Sequence, residues 1–177
     1  MRNFVYLVLM GAGLLTLALV VRSGIFARKN PGEPVSAAMR AALAETRPEI
    51  PEDDARRIRA EFPTASTLPS GLMYIDGFPG TGKQRPRIGD TVTANYTGRL
   101  LDGTIFDSSA SHGGPIKFRV GVGDVIKGWD EAFLTMRKGE KRTLIIPYWL
   151  GYSGNNRPST VPYQATVVFE VELVDFH

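Results

Sequence analysis

Residues 164–176 read Gln-Ala-Thr-Val-Val-Phe-Glu-Val-Glu-Leu-Val-Asp-Phe. Ala165, Val167, Phe169, Val171 and Leu173 fall on one face of an extended chain, with Thr166, Glu170 and Glu172 on the other. Apolar and polar residues alternating with a period of two mark a half-buried strand. Further back, Glu140 to Pro147 is a second strong strand candidate. Asp90 to Gly98 alternates through Val92, Ala94 and Tyr96, and Leu72, Tyr74 and Asp76 alternate with Met73 and Ile75. Asp102-Gly103, set between two extended runs, is a hairpin signal. Only one segment changes to helical spacing: Trp129, Ala132, Phe133 and Met136 stand at i, i+3, i+4 and i+7, followed by the stop Lys138-Gly139. The fold expected from these patterns is α+β, an antiparallel sheet packed on one short amphipathic helix, in a domain of about a hundred residues beginning near Ser70.

Composition narrows the chemistry. Apolar residues make up 43% of the chain and charged residues 22%, which suits a protein built round a core. There is no Cys, so disulfides, thiolate nucleophiles and Cys-ligated zinc are excluded, and His112 and His177 are too few for a multi-His metal site. The net charge is +3 over the whole chain, with twelve basic and eleven acidic residues in 70–177, so no basic excess points to nucleic acid.

The first 69 residues are of other material. Phe4 to Val21 is an uncharged run of eighteen residues whose only polar member is Thr16, within the roughly 17–25 residues a membrane-spanning helix needs. An uncleaved signal anchor over 1–29 is the first reading and a cleaved secretory signal the second. Basic residues flank the run on both sides, so the positive-inside rule leaves its orientation open. Residues 30–69 form a helical, Pro-interrupted linker, with helix formers from Ser36 to Glu45 and a second short helix from Glu52 to Arg59, acids first and bases last. Its apolar content is too thin for a core, which suggests a semi-rigid spacer, with a dimerisation helix as the alternative.

Two motifs fail. Gly77-Phe78-Pro79-Gly80-Thr81-Gly82-Lys83-Gln84 has the glycine and lysine spacing of a phosphate-binding loop, but Gln84 stands where a magnesium-ligating Ser or Thr is needed. Arg85-Pro86-Arg87 then cannot start the helix whose amides would cradle phosphate. Asn95-Tyr96-Thr97 matches a glycosylation sequon, but in mid-strand.

A more specific pattern joins Asn95-Tyr96-Thr97-Gly98, Asp102-Gly103-Thr104-Ile105-Phe106-Asp107-Ser108-Ser109, Val125-Ile126-Lys127-Gly128-Trp129-Asp130, Gly151-Tyr152, Arg157-Pro158, Val161-Pro162 and Ala165 to Leu173. From about Ser70 to the last residue the chain closely resembles the FKBP-type peptidyl-prolyl cis-trans isomerases, the macrolide-immunosuppressant-binding family. The resemblance implies a five- to six-stranded antiparallel sheet curled round the Trp129 helix, with an apolar pocket between them and no cofactor or metal. It makes Trp129 the pocket floor under the substrate's proline ring, and Tyr96, Phe106 and Phe169 aromatic walls. The Ile126 N–H and the Tyr152 hydroxyl become donors to substrate carbonyls, Asp107 a wall carboxylate, and Val125, Ile116 and Val161 further substrate contacts. His112 stands where the family often has a basic residue, and Thr160 where an aliphatic is typical.

These residue types suit the reaction physically. Rotation about an X–Pro bond requires loss of amide resonance, against a barrier of roughly 18–20 kcal/mol, but no nucleophile and no proton transfer. Water stabilises the planar, charge-separated amide, so a dry pocket with a few fixed donors favours the twisted form. Singly, Trp129, Phe133, Met136 and Phe169 read as ordinary core; the functional reading rests on the joint pattern. The expectation is a prolyl isomerase acting on Pro-containing, exported polypeptides and binding macrolide inhibitors. Its membrane anchor at 4–21 would hold the domain at 70–177 outside the cytoplasm, in a bacterial periplasm, or leave it secreted after cleavage. A Pro-segment-binding chaperone or scaffold with little turnover is the alternative.

Overall fold

The computed structural model describes residues 48–153 and 157–177. The apolar run at 4–21 and the helix expected over 36–45 lie outside the described residues. Among the described residues, no helix is long and apolar enough to cross a membrane.

The chain from Pro48 onward forms one compact unit. Its elements run α1 (Glu52–Glu61), β1 (Ser66–Thr67), β2 (Met73–Pro79), β3 (Thr91–Leu100), β4 (Ile105–Ser108), a 3-10 turn (Ser109–His112), β5 (Ile116–Arg119), α2 (Lys127–Phe133), β6 (Glu140–Ile146) and β7 (Val167–Phe176). The strands make one antiparallel sheet in the order β1-β2-β6-β7-β3-β4, with β5 also paired to β3. The strand count is therefore seven rather than five to six; the additions are the two-residue β1 and the short β5, both too brief to show a period.

The inner face holds the main core. Val92, Ala94, Leu144, Ile146, Val167, Phe169, Val171 and Leu173 close over Trp129, Ala132 and Phe133 of α2. Gly128 makes this approach possible, because a Cβ there would lie 2.7 Å from Cγ2 of Ile146. The helix ends three residues earlier than its apolar spacing suggests. Met136 is fully buried but lies in the turn beyond, where its N–H donates to the Phe133 carbonyl. The last strand also begins later, at Val167, after a loop in which Gln164 adopts φ 55°.

α1 differs from its reading as a spacer. Its two large apolar side chains, Ile58 and the C-capping Phe62, are buried against Met73, Ile145 and Val168 on the outer face of the sheet. At that end the sheet is covered on both faces, which explains the unbroken burial of Leu144-Ile145-Ile146 and Val167-Val168-Phe169. The Glu61 carboxylate accepts from Arg99 at 2.6 Å, and the Arg99 guanidinium lies over the Phe62 ring.

The glycine-rich segment after β2 is a turn. The Thr81 and Gly82 N–H groups both donate to the Lys138 carbonyl, at 3.0 and 3.2 Å, so the amides a phosphate would need are already used. Asn95 sits within β3, its side chain donating to Glu172.

Candidate active site

A cavity of about 580 Å³ opens between α2 and the inner face of the sheet, lined by Tyr96, Asp107, Ile116, Val125, Ile126, Trp129, Tyr152 and Phe169, with Gly123, Asp124, Lys127 and Gly151. Its size and mostly apolar walls are those of a small-ligand or peptide side-chain site. Trp129 lies beneath it, only 4% exposed. Its ring meets Tyr96 at 5.0 Å and Phe169 at 5.1 Å, both edge to face, and also packs on Phe118 and Phe133 at 5.7 and 5.5 Å. The indole thus belongs both to the cavity and to the core. Its buried Nε1–H has no hydrogen-bond partner among the described residues.

Phe106 is not among the residues that border this cavity. Its ring stands 5.5 Å from Phe169 and 6.1 Å from Tyr152, both edge to face, and so supports two wall residues. Val161 also differs from its expected substrate contact: it is fully buried in the main core. Its N–H donates to Pro158 and its carbonyl accepts from Arg157, which holds the chain after the Tyr152 loop. A valine between two such loop anchors is drawn inward by its lack of any polar atom to leave in water.

Four residues that the sequence left without a role shape the site. Gly98 on β3 lets the Phe169 and Phe106 rings cross the strand, since a Cβ there would be 2.6 Å from Phe169 Cε1 and 2.9 Å from Phe106 Cζ. Ser109, buried, accepts from the Tyr96 N–H at 3.1 Å and donates to the Tyr96 carbonyl at 3.3 Å. That one hydroxyl fixes Tyr96 where β4 has given way to the 3-10 turn. Asp130, in the first turn of α2, accepts from the N–H groups of Gly121 and Gly123 at 2.7 and 2.9 Å. It thereby closes the tight loop, with both glycines at positive φ, that delivers Val125 and Ile126 to the cavity. Gly128 brings its N–H to the Leu150 carbonyl at 2.8 Å, docking the helix start on the segment that carries Tyr152. The signal for Asp130 was in the sequence, an acid just inside a helix that follows a Gly-x-Gly turn. Ser109 carried no such signal.

The polar side of the cavity centres on Asp107. Its Oδ2 accepts from the Tyr96 hydroxyl at 2.8 Å, and its Oδ1 from the Ser108 N–H at 2.8 Å with His112 Nε2 also at 2.8 Å. Burial, then the hydrogen bond and charge of Asp107, hold the Tyr96 phenol well above its ordinary range. Burial, and secondarily the same carboxylate, push the Tyr152 phenol up to about 12. Both hydroxyls are neutral donors at any physiological pH. The N–H of Ile126, at the N-cap of α2, donates to no backbone carbonyl among the described residues and is available to a ligand. The arrangement offers a dry floor, aromatic walls and fixed donors, without an activated nucleophile.

Comparison with known proteins assigns the family. A model of the FKBP-type peptidyl-prolyl cis-trans isomerases matches residues 82–174. The chain belongs to that family. It is 47% identical over 96 residues to the peptidyl-prolyl cis-trans isomerase FKBP15-2 of Arabidopsis thaliana, covering 54% of this chain and 59% of that protein. It is 51% identical over 90 residues to the peptidyl-prolyl cis-trans isomerase FKBP2 of Homo sapiens, covering 51% and 63%. The crystal structure of FkpA from Escherichia coli superposes with a TM-score of 0.62 at 32% identity, covering 94% of this chain and 71% of that one. The match to the first curated relatives spans about three-fifths of their length. The antiparallel sheet and the α2 helix packed on it are those the resemblance implied.

Proposed function

We propose that this protein is a peptidyl-prolyl cis-trans isomerase that accelerates X–Pro rotation in polypeptide substrates. The observation that carries the reading is the cavity itself: an indole floor 4% exposed beneath aromatic and aliphatic walls that include Tyr96, Ile116, Val125 and Phe169. The proline ring sits over Trp129, between Tyr96 and Phe169, with Ile116 and Val125 completing the apolar contact and Phe106 stiffening Phe169 and Tyr152. The Ile126 N–H and the Tyr152 hydroxyl hold the flanking carbonyls. The amide then twists in surroundings that do not solvate its planar, charge-separated form, so the barrier falls without any bond being made to the protein. Asp107 acts by orienting Tyr96 and by its charge, and transfers no proton.

The test is an exchange measurement on an uncharged Pro peptide by NMR. Tyr152→Phe is expected to lose one hydrogen bond, about 0.5–1.5 kcal/mol, or roughly threefold to tenfold in kcat/KM. Asp107→Asn is expected to keep measurable turnover. With such a peptide the wild-type rate stays flat between pH 6 and 8. A bell-shaped profile that vanishes in Asp107→Asn would establish acid–base catalysis and overturn this mechanism. Peptide binding without turnover would make the protein a Pro-segment-binding chaperone or scaffold instead.

We further propose that residues 4–21 hold the protein at a membrane with its isomerase domain outside the cytoplasm, in a bacterial periplasm, where exported chains would be its substrates. The eighteen uncharged residues support this reading. Fractionation with protease protection tests it: a domain resistant in intact spheroplasts, or a chain recovered only from the soluble fraction, would count against anchoring on the outer side. The names of relatives such as FK506-binding protein 2 of Yarrowia lipolytica support a macrolide as an inhibitor occupying the same cavity.

A further inference from the structure

His112 is bonded to the carboxylate that lines the cavity. We propose that His112 makes the charge beside the cavity depend on pH, and so selects substrates by the charge of the residue preceding their proline. This rests on the isomerase reading above.

His112 closes the 3-10 turn Ser109–His112, followed by Gly113 and Gly114 in positive-φ conformations. Its Nε2 lies 2.8 Å from Asp107 Oδ1, and its side chain is 56% exposed, open to proton exchange with solvent. The same carboxylate lines the cavity, and among the described residues its other partners are neutral donors, the Tyr96 hydroxyl and the Ser108 N–H. The remaining ionisable groups around the cavity are Tyr152, Asp124 and Lys127, with Asp124 turned towards Arg119 at 3.4 Å. Of all these side-chain types, only imidazole ordinarily gains or loses its proton between pH 5 and 8. The phenols of Tyr96 and Tyr152 are further removed from that window by burial.

The sign follows directly. With His112 protonated, imidazolium and carboxylate cancel and the wall is close to neutral. With His112 neutral, the hydrogen bond can persist through Nε2–H, but the wall carries the full Asp107 charge. A peptide with Lys before its proline therefore gains as pH rises, and one with Glu loses. The pair is partly exposed, so each effect is small, about twofold in rate. Opposed substrates double the contrast, giving about a fivefold change in the ratio of their kcat/KM values between pH 5.5 and 8, shrinking as salt is added.

The experiment measures cis-trans exchange by NMR, with no coupling protease, on matched Ala-Lys-Pro-Phe and Ala-Glu-Pro-Phe peptides with the full chain from pH 5.5 to 8. Affinities of the same peptides are measured in parallel. The wild-type Lys-to-Glu ratio is expected to rise about fivefold. His112→Gln, which keeps a hydrogen-bond donor without titrating, should hold the ratio at its high-pH value throughout, and His112→Arg at its low-pH value. A wild-type ratio that does not move with pH, or one that still moves in His112→Gln, overturns the proposal while leaving the isomerase reading intact. A pH-dependent affinity ratio without turnover upholds the charge selection and overturns the isomerase reading. Peptides neither bound nor turned over would overturn both.

Discussion

Ile145 on β6 and Val168 on β7 stand directly opposite each other on the outer face of the sheet, and neither exposes any surface. Their cover is α1, through Ile58 and Phe62. Without that helix, a row of apolar side chains running from Met73 through Ile145 to Val168 would face water.

A fragment of residues 70–177 is therefore expected to be less stable than one of residues 48–177, although every strand from β2 to β7 and the whole cavity lie within it. Phe62→Ala in the longer fragment should cost about 3 kcal/mol, near the lower end for a buried aromatic, because the cluster is small. Urea midpoints of the three proteins decide the matter. Equal midpoints for the two fragments would show that α1 does not stabilise the sheet.

The wall of the cavity depends on an absent side chain. Gly98→Ala would drive a methyl group into Phe169 and Phe106, neither of which can yield without moving Tyr152 or Trp129. Overpacking of this kind typically costs about 1–3 kcal/mol. The expected outcome is a lower denaturation midpoint together with reduced prolyl isomerisation. A variant of unchanged stability and rate would show that the rings have room the distances do not suggest.

Replacing Trp129 with Ala should cost about 3–5 kcal/mol, because the indole packs on Phe118 and Phe133 as well as beneath the cavity. Trp129→Leu should cost much less and keep reduced turnover. Leucine restores an apolar floor, and it removes an indole N–H that is buried without an acceptor. Calorimetry and the exchange assay separate the two effects. Full activity in a folded Ala variant would detach Trp129 from the site.

Alkaline pH should weaken the fold through Tyr152. A phenol whose value is raised on folding, here up to about 12, favours the protonated chain. Its contribution is complete below the unfolded phenol value near 10 and is lost as pH rises through the folded value. The buried Tyr96 acts in the same direction. Phenolate absorbance during an alkaline titration should therefore include late-titrating tyrosines, and Tyr152→Phe should remove one of them and flatten the loss of stability between pH 10 and 12. Tyrosines all titrating near 10 would contradict the burial of both hydroxyls.

Much of the fold was legible because alternation survives wherever one face of a strand meets the core and the other meets water. β3 shows this over its length, with Val92, Ala94 and Tyr96 buried between partly exposed neighbours. The reading failed where that condition failed. Leu144-Ile145-Ile146 and Val167-Val168-Phe169 are continuous apolar runs, and since they pair with each other they require cover on both faces. The cover came from a helix with only two large apolar residues, too few to register as a core element. At the site, Trp129, Tyr96, Phe169, Tyr152 and Asp107 were legible as one joint pattern. Ser109 and Val161 were not, because a hydroxyl that replaces strand hydrogen bonds and a valine drawn beneath a loop leave no periodic trace.

The α+β class, the strand-forming segments, the helix that carries Trp129, the lack of cysteine and the family can all be read along the chain. These follow from local spacing and residue type, which are properties of neighbours along the chain. It took the packing of separate elements to close the outer face with α1, to set Phe106 against Phe169 and Tyr152, and to bring the Tyr96 hydroxyl onto Asp107 beside His112. Those relationships join residues from different elements. They depend on register and on how closely two backbones approach, and Gly98 and Gly128 allow that approach only once the sheet and α2 are in place.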